Sequence, residues 1–338
     1  MKSFFYFDSD ETKKSLLLRA RKVALWSIQQ YDIEWNCLRF IQLSDTITYK
    51  IETDSAESYL LRIHSERVNK EEILSELVFL RQLAKVDDLK VPEGIQSRNG
   101  DYVLECETEE GYRKPCVSMM RWVEGDHRTE NFTDPHVHSI GVMMGRLHKA
   151  SVGLTTPPDF VRPHWGGFSF SQEVMKLERY YSRFLSERSW NLYQEAVNKI
   201  IQQLDSMQKN DQNYGLIHAD LHSGNIVFNK ETPYPIDFGR CGYGYYLYDL
   251  AASLLELEPR QREILIQGYE SEVRLDNDYV RTLEMFFIQF IIENYCHHSS
   301  DPSEIPSLIN EQKYALAYIN AFIKDKPFLF EVLEPVDA

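Results

Sequence analysis

Residues 214–250 read YGLIHADLHSGNIVFNKETPYPIDFGRCGYGYYLYDL, a short β-patterned island in a stretch of chain that otherwise carries helical periodicity. An apolar lead-in, Leu216-Ile217, delivers His218-x-Asp220 onto a loop, and Asn225 follows five residues after the aspartate. Ile226-Val227-Phe228 then leaves as a strand, Asn229 to Pro233 turns it, and Pro235-Ile236-Asp237-Phe238-Gly239 returns antiparallel. A hairpin of this size sets Asn225, at the start of one strand, beside Asp237, at the end of the other.

Two hard oxygen ligands on adjacent strand ends suit Mg²⁺, which takes few protein ligands and completes its shell with water and phosphate oxygens. Asp220, on the preceding loop, is left to face an acceptor. A base, an amide oxygen and a carboxylate on one rigid hairpin meet the needs of phosphoryl transfer, which depends on positioning and charge neutralisation more than on covalent chemistry. His218-x-Asp220-x-His222 is also compatible with a hydrolase metal cluster, since His and carboxylate ligands suit zinc or iron. The remaining histidines, however, form no second motif.

The rest of the chain divides by texture. Ser9 or Asp10 opens a helix in which Leu16, Leu17, Ala20, Val23, Ala24 and Ile28 recur with helical spacing. From Cys37 to His64 three short runs rich in β-branched and aromatic residues read as antiparallel strands. A helix from about Asn69 to Ala84 follows, then strands at Asp101 to Glu107 and Tyr112 to Val123. After Glu124-Gly125-Asp126 the pattern turns helical, beginning with a helix capped by Thr133 and ending near Ala150. The loop from Gly153 to Gly167 is too rich in proline and glycine for a regular element.

The 338 residues carry a net charge of −15 with no basic stripe, so a nucleic-acid partner is not expected. Five scattered cysteines without a CxxC pair fit a reducing compartment. No run is long or apolar enough for a signal peptide or a membrane span, and a cytoplasmic protein with no membrane partner is expected.

His218-x-Asp220-x4-Asn225 followed by Asp237-Phe238-Gly239 resembles the catalytic and metal-binding segments of the protein-kinase-like superfamily. The HADLHSGN form, with a further aspartate at Asp249, is similar to the aminoglycoside phosphotransferase and choline kinase-like family. The resemblance covers nearly the whole chain and implies an α+β, bilobal kinase fold. An N-terminal nucleotide-binding lobe of five antiparallel strands plus a helix (1–118), a hinge (119–126) and a helical catalytic lobe (127–338) would make up the chain. It implies ATP and Mg²⁺, with ATP in the cleft between lobes and a small-molecule hydroxyl as acceptor.

By the same resemblance, Asp220 is the base, Asn225 and Asp237 are the metal ligands, and His218 and Asp249 support the catalytic loop. Arg62 stands where these kinases place a cation on the nucleotide phosphates, and Glu76 where they place its carboxylate partner. The hinge around Met119-Met120-Arg121-Trp122, with Met120 and Trp122 as contacts, would read adenine through its backbone.

Two departures stand out. The turn Leu43-Ser44-Asp45-Thr46 lacks the glycines that let a backbone close over phosphates, and Asp45 adds a negative charge. This leaves a nucleotide-binding pseudokinase as an alternative. Only nine residues separate Gly239 from Asp249, too few for a long activation segment, which favours a small acceptor over a stress-type protein-kinase role. Candidate acceptor contacts are Glu256, Glu258, Glu331, Glu334 and Asp337 for cations, and Arg240 or Arg162 for a carboxylate. Tyr243, Tyr245, Tyr246 and Tyr248 either line an acceptor pocket or pack their loop against the core. His148 is expected to hydrogen-bond core backbone.

Overall fold

The computed structural model describes residues 1–128 and 132–336; Asp337, one of the candidate acids, lies outside the described residues. The chain divides into two compact units, one of Met1–Glu124 with Thr155–Arg162, the other of Gly125–Leu154 with Pro163 onward.

In the first unit, Ser9 accepts a hydrogen bond from the Thr12 N–H and starts α1 (Asp10–Ile28). Then come β1 (Trp35–Leu43), β2 (Thr46–Thr53), β3 (Ser58–His64), α2 (Lys70–Leu83), β4 (Val103–Glu105) and β5 (Cys116–Arg121). Asn69 caps α2 by accepting the Glu72 N–H, and the Glu72 carboxylate returns to the Asn69 N–H. The strands form one antiparallel sheet in the order β1-β2-β3-β5-β4.

Side chains alternate across a strand, so the two faces of this sheet can differ. Ile47, Tyr49, Ile51, Tyr59, Leu61, Ile63, Val117 and Met119 share one buried core with Leu16, Ala20, Val23, Ala24 and Ile28 of α1. Each such aliphatic chain contributes about 1.5–3 kcal/mol on burial. The alternate positions include a polar row: Thr48, Arg62 and Ser118 lie in register across β2, β3 and β5, and all three are buried.

Met119, Met120 and Arg121 are ladder residues of β5 opposite Leu61, Leu60 and Tyr59, within the strand expected over Tyr112 to Val123. One expectation is corrected here. Thr155–Arg162, read as part of an irregular loop in the helical lobe, joins the first unit: the Val161 N–H donates to Ser75 Oγ at 2.8 Å, and Arg162 Nη1 donates to the Glu72 carbonyl at 3.1 Å, both on α2.

The second unit contains β6 (Asp126–His127), α3 (Asp134–Ser151), α4 (Gly167–Tyr180), α5 (Glu187–Ser206) and β7 (Tyr214–Ile217). It continues with β8 (Ile226–Asn229), β9 (Thr232–Pro235), β10 (Gly242–Tyr245), α6 (Tyr246–Leu254), α7 (Pro259–Glu270), α8 (Tyr279–His298) and α9 (Ile305–Ile323). The hairpin β8–β9 turns through Lys230 and Glu231 alone, with Lys230 at φ +58°, so its turn is tighter than expected. The expected lead-in is itself a strand, for β7 pairs antiparallel with β10. α3 and α7 cross where each presents a glycine. A Cβ on Gly141 would come within 2.0 Å of the Leu265 carbonyl oxygen, and one on Gly268 within 2.1 Å of that of His138. The crossing brings His148 and Tyr269 together. No described helix is long and apolar enough to cross a membrane.

Candidate active site

The loop from His218 to Asp220 in the second unit hangs from one carboxylate. Asp249, fully buried on the first turn of α6, accepts the His218 N–H at 2.8 Å and the Ala219 N–H at 2.7 Å. His148 Nε2 lies 3.1 Å from the same carboxylate, and its Nδ1 lies 2.9 Å from the Tyr269 hydroxyl. Burial would raise the Asp249 carboxyl, but the His148 hydrogen bond and the neighbouring imidazoles outweigh it and hold it below its ordinary range. Ala219 sits at φ +64°, a backbone state costly for alanine, which Asp249 fixes by taking its N–H.

Beyond Ala219, Asp220 is half-buried and its carbonyl accepts the His222 N–H at 3.0 Å and Asn225 Nδ2 at 2.8 Å. The same Nδ2 lies 3.3 Å from Asp220 Oδ2. With the Asn225 nitrogen turned toward Asp220, its side-chain oxygen is the atom presented for a cation. His218 Nε2 lies 2.8 Å from the Ile236 carbonyl, and the Ile236 N–H donates to the Asn225 carbonyl at 2.9 Å. These two bonds tie the loop to the segment carrying Asp237, which is exposed and left-handed at φ +59°, ψ 65°. Asp237 stands two residues past the end of β9, not on the strand as expected, and opens a 3₁₀ turn over Phe238–Arg240. Asn225 and Asp237 offer an amide oxygen and a carboxylate, a hard donor set that fits Mg²⁺.

The hydrolase alternative loses its third ligand. His222 Nδ1 accepts the Gly224 N–H at 3.1 Å and its Nε2 faces Asn225, so the ring caps its own turn. Among the described residues no group of three His, Cys, Asp or Glu is placed to hold a metal ion.

The tyrosines part company. Tyr245 donates to the Met207 carbonyl, and Tyr248 donates to Glu293 at 2.7 Å. Tyr243 and Tyr246 border a separate cavity of about 370 Å³ with His164, Asp211 and Tyr214. Glu256, Glu258, Glu331 and Glu334 are all exposed. Sequence reasoning missed Glu293 on α8, which accepts the Tyr248 hydroxyl, and the role of His148, whose side chain engages Asp249 and Tyr269, not backbone.

In the first unit, Arg62 Nη2 donates to Glu76 Oε1 at 2.7 Å, and both side chains are buried. His64, two residues along β3, shares a 2.8 Å hydrogen bond with Ser118. Burial, aided by Arg62 and Arg162, pushes its imidazole well below the ordinary range and keeps it neutral. The charge of Asp45 in the glycine-free turn is matched by Arg67 at 2.8 Å. In the segment expected to read adenine, the Arg121 N–H donates to the Glu93 carbonyl and the Trp122 N–H to that of Ser58, and the Met119 carbonyl accepts the Ile95 N–H. Met120 is buried, and Lys50 Nζ lies 4.6 Å above the Trp122 ring. The donors of 121 and 122 are thus engaged within the sheet.

Comparisons with known proteins bear on the family and the fold. A model of a phosphotransferase enzyme family matches residues 41–283. The chain is 25% identical over 228 residues to an amicoumacin kinase of Bacillus subtilis (strain 168), an alignment covering 67% of this chain but only 64% of that protein. Among solved structures, a microcompartment-associated aminopropanol kinase superposes with a TM-score of 0.78 at 23% identity, covering 91% of this chain and 99% of the other. The amicoumacin kinase hAmiN, in complex with AMP-PNP, Ca²⁺ and Ami, gives 0.76 at 19% identity, covering 93% and 96%.

Proposed function

The chain belongs to the phosphotransferase enzyme family, and on that premise we propose that it transfers the γ-phosphoryl group of ATP to a hydroxyl of a small molecule, with Mg²⁺ as the accompanying ion. The observation that carries this reading is the double anchoring of the Asp220 loop, by Asp249 behind it and by Asn225 and Ile236 beside it. A loop so held keeps one carboxylate at a fixed place, which is the positioning that phosphoryl transfer requires.

In the proposed reaction the acceptor oxygen attacks the γ-phosphorus while its proton passes to the Asp220 carboxylate. The new O–P bond forms as the bond from the γ-phosphorus to the β,γ-bridging oxygen breaks, and ADP leaves with that electron pair. Mg²⁺ held by Asn225 and Asp237 would supply charge neutralisation and phosphate orientation. Arg62, kept in place by Glu76, adds a guanidinium able to grip phosphate oxygens in two-pronged fashion. Met120 and Trp122 form the adenine side. Because the N–H groups of 121 and 122 are engaged, that contact falls to the Trp122 ring and carbonyl and the residues after it.

Relatives named as amicoumacin and aminopropanol kinases support a small-molecule acceptor, and amino-sugars, amino alcohols and hydroxy amino acids are the classes we propose to screen. Residues 240–248 are taken up by the 3₁₀ turn, β10 and the start of α6. They leave no free segment on which a protein substrate would dock. The test is Mg²⁺-dependent ADP release against a panel of these acceptors. Asp220→Asn should lower kcat by about 10²–10⁴-fold with an unchanged melting temperature; full activity in that variant would remove Asp220 as the base.

A further inference from the structure

Three buried serines of this protein serve their own helices. Ser27, Ser75 and Ser151 each donate to the carbonyl four residues back, at 2.8, 2.8 and 3.1 Å, the usual local outlet for a hydroxyl inside a helix. Ser253, buried on α6, does otherwise: its hydroxyl donates to the Leu221 carbonyl, 32 residues away in the chain. Leu221 directly follows Asp220 and is itself fully buried.

Ser253 stands four residues after Asp249, so the two side chains share one face of α6, about 6 Å apart along the helix axis. The loop runs alongside that face. Asp249 accepts the His218 and Ala219 N–H groups on one side of Asp220, and Ser253 takes the Leu221 carbonyl on the other. A segment held at one point can pivot about it; held at two points a helical turn apart, it cannot. The turn carrying Ser253 is itself held from behind. Arg262, buried on α7, donates Nε to the Leu254 carbonyl at 3.2 Å and to the Leu257 carbonyl at 2.9 Å, at and just beyond the end of α6. Its Nη1 donates to the Leu329 carbonyl at 2.9 Å.

We propose that Ser253 is a positioning residue for phosphoryl transfer. Together with Asp249 it suspends Asp220 between two turns of α6 and sets the direction in which that carboxylate faces the acceptor. The assignment rests on the reading of Asp220 as the base and deepens it. Ser253 acts through the loop and not on a ligand, so its loss should fall on kcat and leave KM for ATP alone.

The test uses the full-length protein. Ser253→Ala should lower kcat about tenfold with KM for ATP unchanged, since a misplacement of about 1 Å can cost about 100-fold and Asp249 still holds one side of the loop. Ser253→Thr keeps the hydroxyl and should restore most of the rate. Ser151→Ala, which removes a buried hydroxyl that serves its own helix, is the matched control and should keep the wild-type kcat. Melting curves identify any variant that fails to fold.

Amide hydrogen exchange reads the loop without an acceptor. The His222 N–H donates to the Asp220 carbonyl at 3.0 Å. In Ser253→Ala it should exchange at least about tenfold faster, the scale of one lost hydrogen bond, while the His218 and Ala219 N–H groups keep their wild-type protection. A wild-type kcat in Ser253→Ala, an equal loss in Ser151→Ala, a rise in KM for ATP that matches the fall in kcat, or exchange at His222 that is unchanged or rises equally at all three amides overturns the assignment. If the wild-type protein turns over no acceptor with ATP, the kinase reading itself falls, and the exchange pattern alone decides whether Ser253 anchors the loop.

Discussion

The buried carboxylates of Glu76, in one unit, and Asp249, in the other, hold their partners in different ways. Glu76 in the first unit grips a side chain, the Arg62 guanidinium. Asp249 in the second grips the main chain, through the N–H groups of His218 and Ala219. A guanidinium on a flexible stem can change rotamer when its partner changes, so the grip of Glu76 controls where one charge points. Two adjacent N–H groups cannot rotate away without redirecting the chain, so the grip of Asp249 fixes the loop conformation, the left-handed Ala219 included. Loss of the first carboxylate should register in nucleotide affinity, loss of the second in the fold and in catalysis together.

The largest effect is expected for Asp249→Ala, which strands two buried N–H groups and the His148 ring at about 1–3 kcal/mol each. Melting followed through Trp165 and Trp190, both in the second unit, should show a loss of about 3–9 kcal/mol and a collapse of kcat. Glu76→Gln leaves a buried guanidinium without its counter-charge, at a cost of about 3 kcal/mol. It should be read through Trp26, Trp35 and Trp122 of the first unit and raise KM for ATP more than it lowers kcat. If Glu76→Gln lowered kcat while sparing KM, the contrast between the units would fail.

Acid should separate the units as well. The folded pKa of His64 is depressed, so the unfolded chain binds the extra proton and stability is complete only above the ordinary histidine value, about 6.5. The first unit should therefore weaken as pH falls below that point, by at most about 1.4 kcal/mol per pH unit. The carboxyl of Asp249 is also depressed, which gives the same sign in a lower window. Stability from this group is complete above the ordinary carboxylate range and lost only as pH falls beneath it. The smallest effect is His148→Gln, which should cost about 1 kcal/mol and narrow the acid tolerance of the second unit by removing a hydrogen bond to Asp249.

What the sequence revealed follows the same division between local and distant partners. Ser9, Asn69 and Thr133 announce helix starts because a cap acts within three residues, and the motif from His218 to Asp237 announces itself because its members share one hairpin. β10 was hidden because Gly242-Tyr243-Gly244-Tyr245 lacks apolar alternation, and its status as a strand comes from pairing with β7. His148 and Glu293 were hidden for a related reason. Their partners lie 101 residues away at Asp249 and 45 residues away at Tyr248, and no local pattern points to either contact. Arg62 and Glu76, 14 residues apart, were found only through family likeness.

The placement of Thr155–Arg162 on α2 has a consequence for how the chain is made. The first unit is not finished when its last strand leaves the ribosome, since Ser75 and the Glu72 carbonyl receive their partners, Val161 and Arg162, only after the whole of α3 has been synthesised. A nascent chain stopped at Glu124 carries an incomplete unit, and one stopped at Arg162 carries every residue of it. Between those two lengths the sheet must wait while a helix belonging to the other unit passes through the exit tunnel.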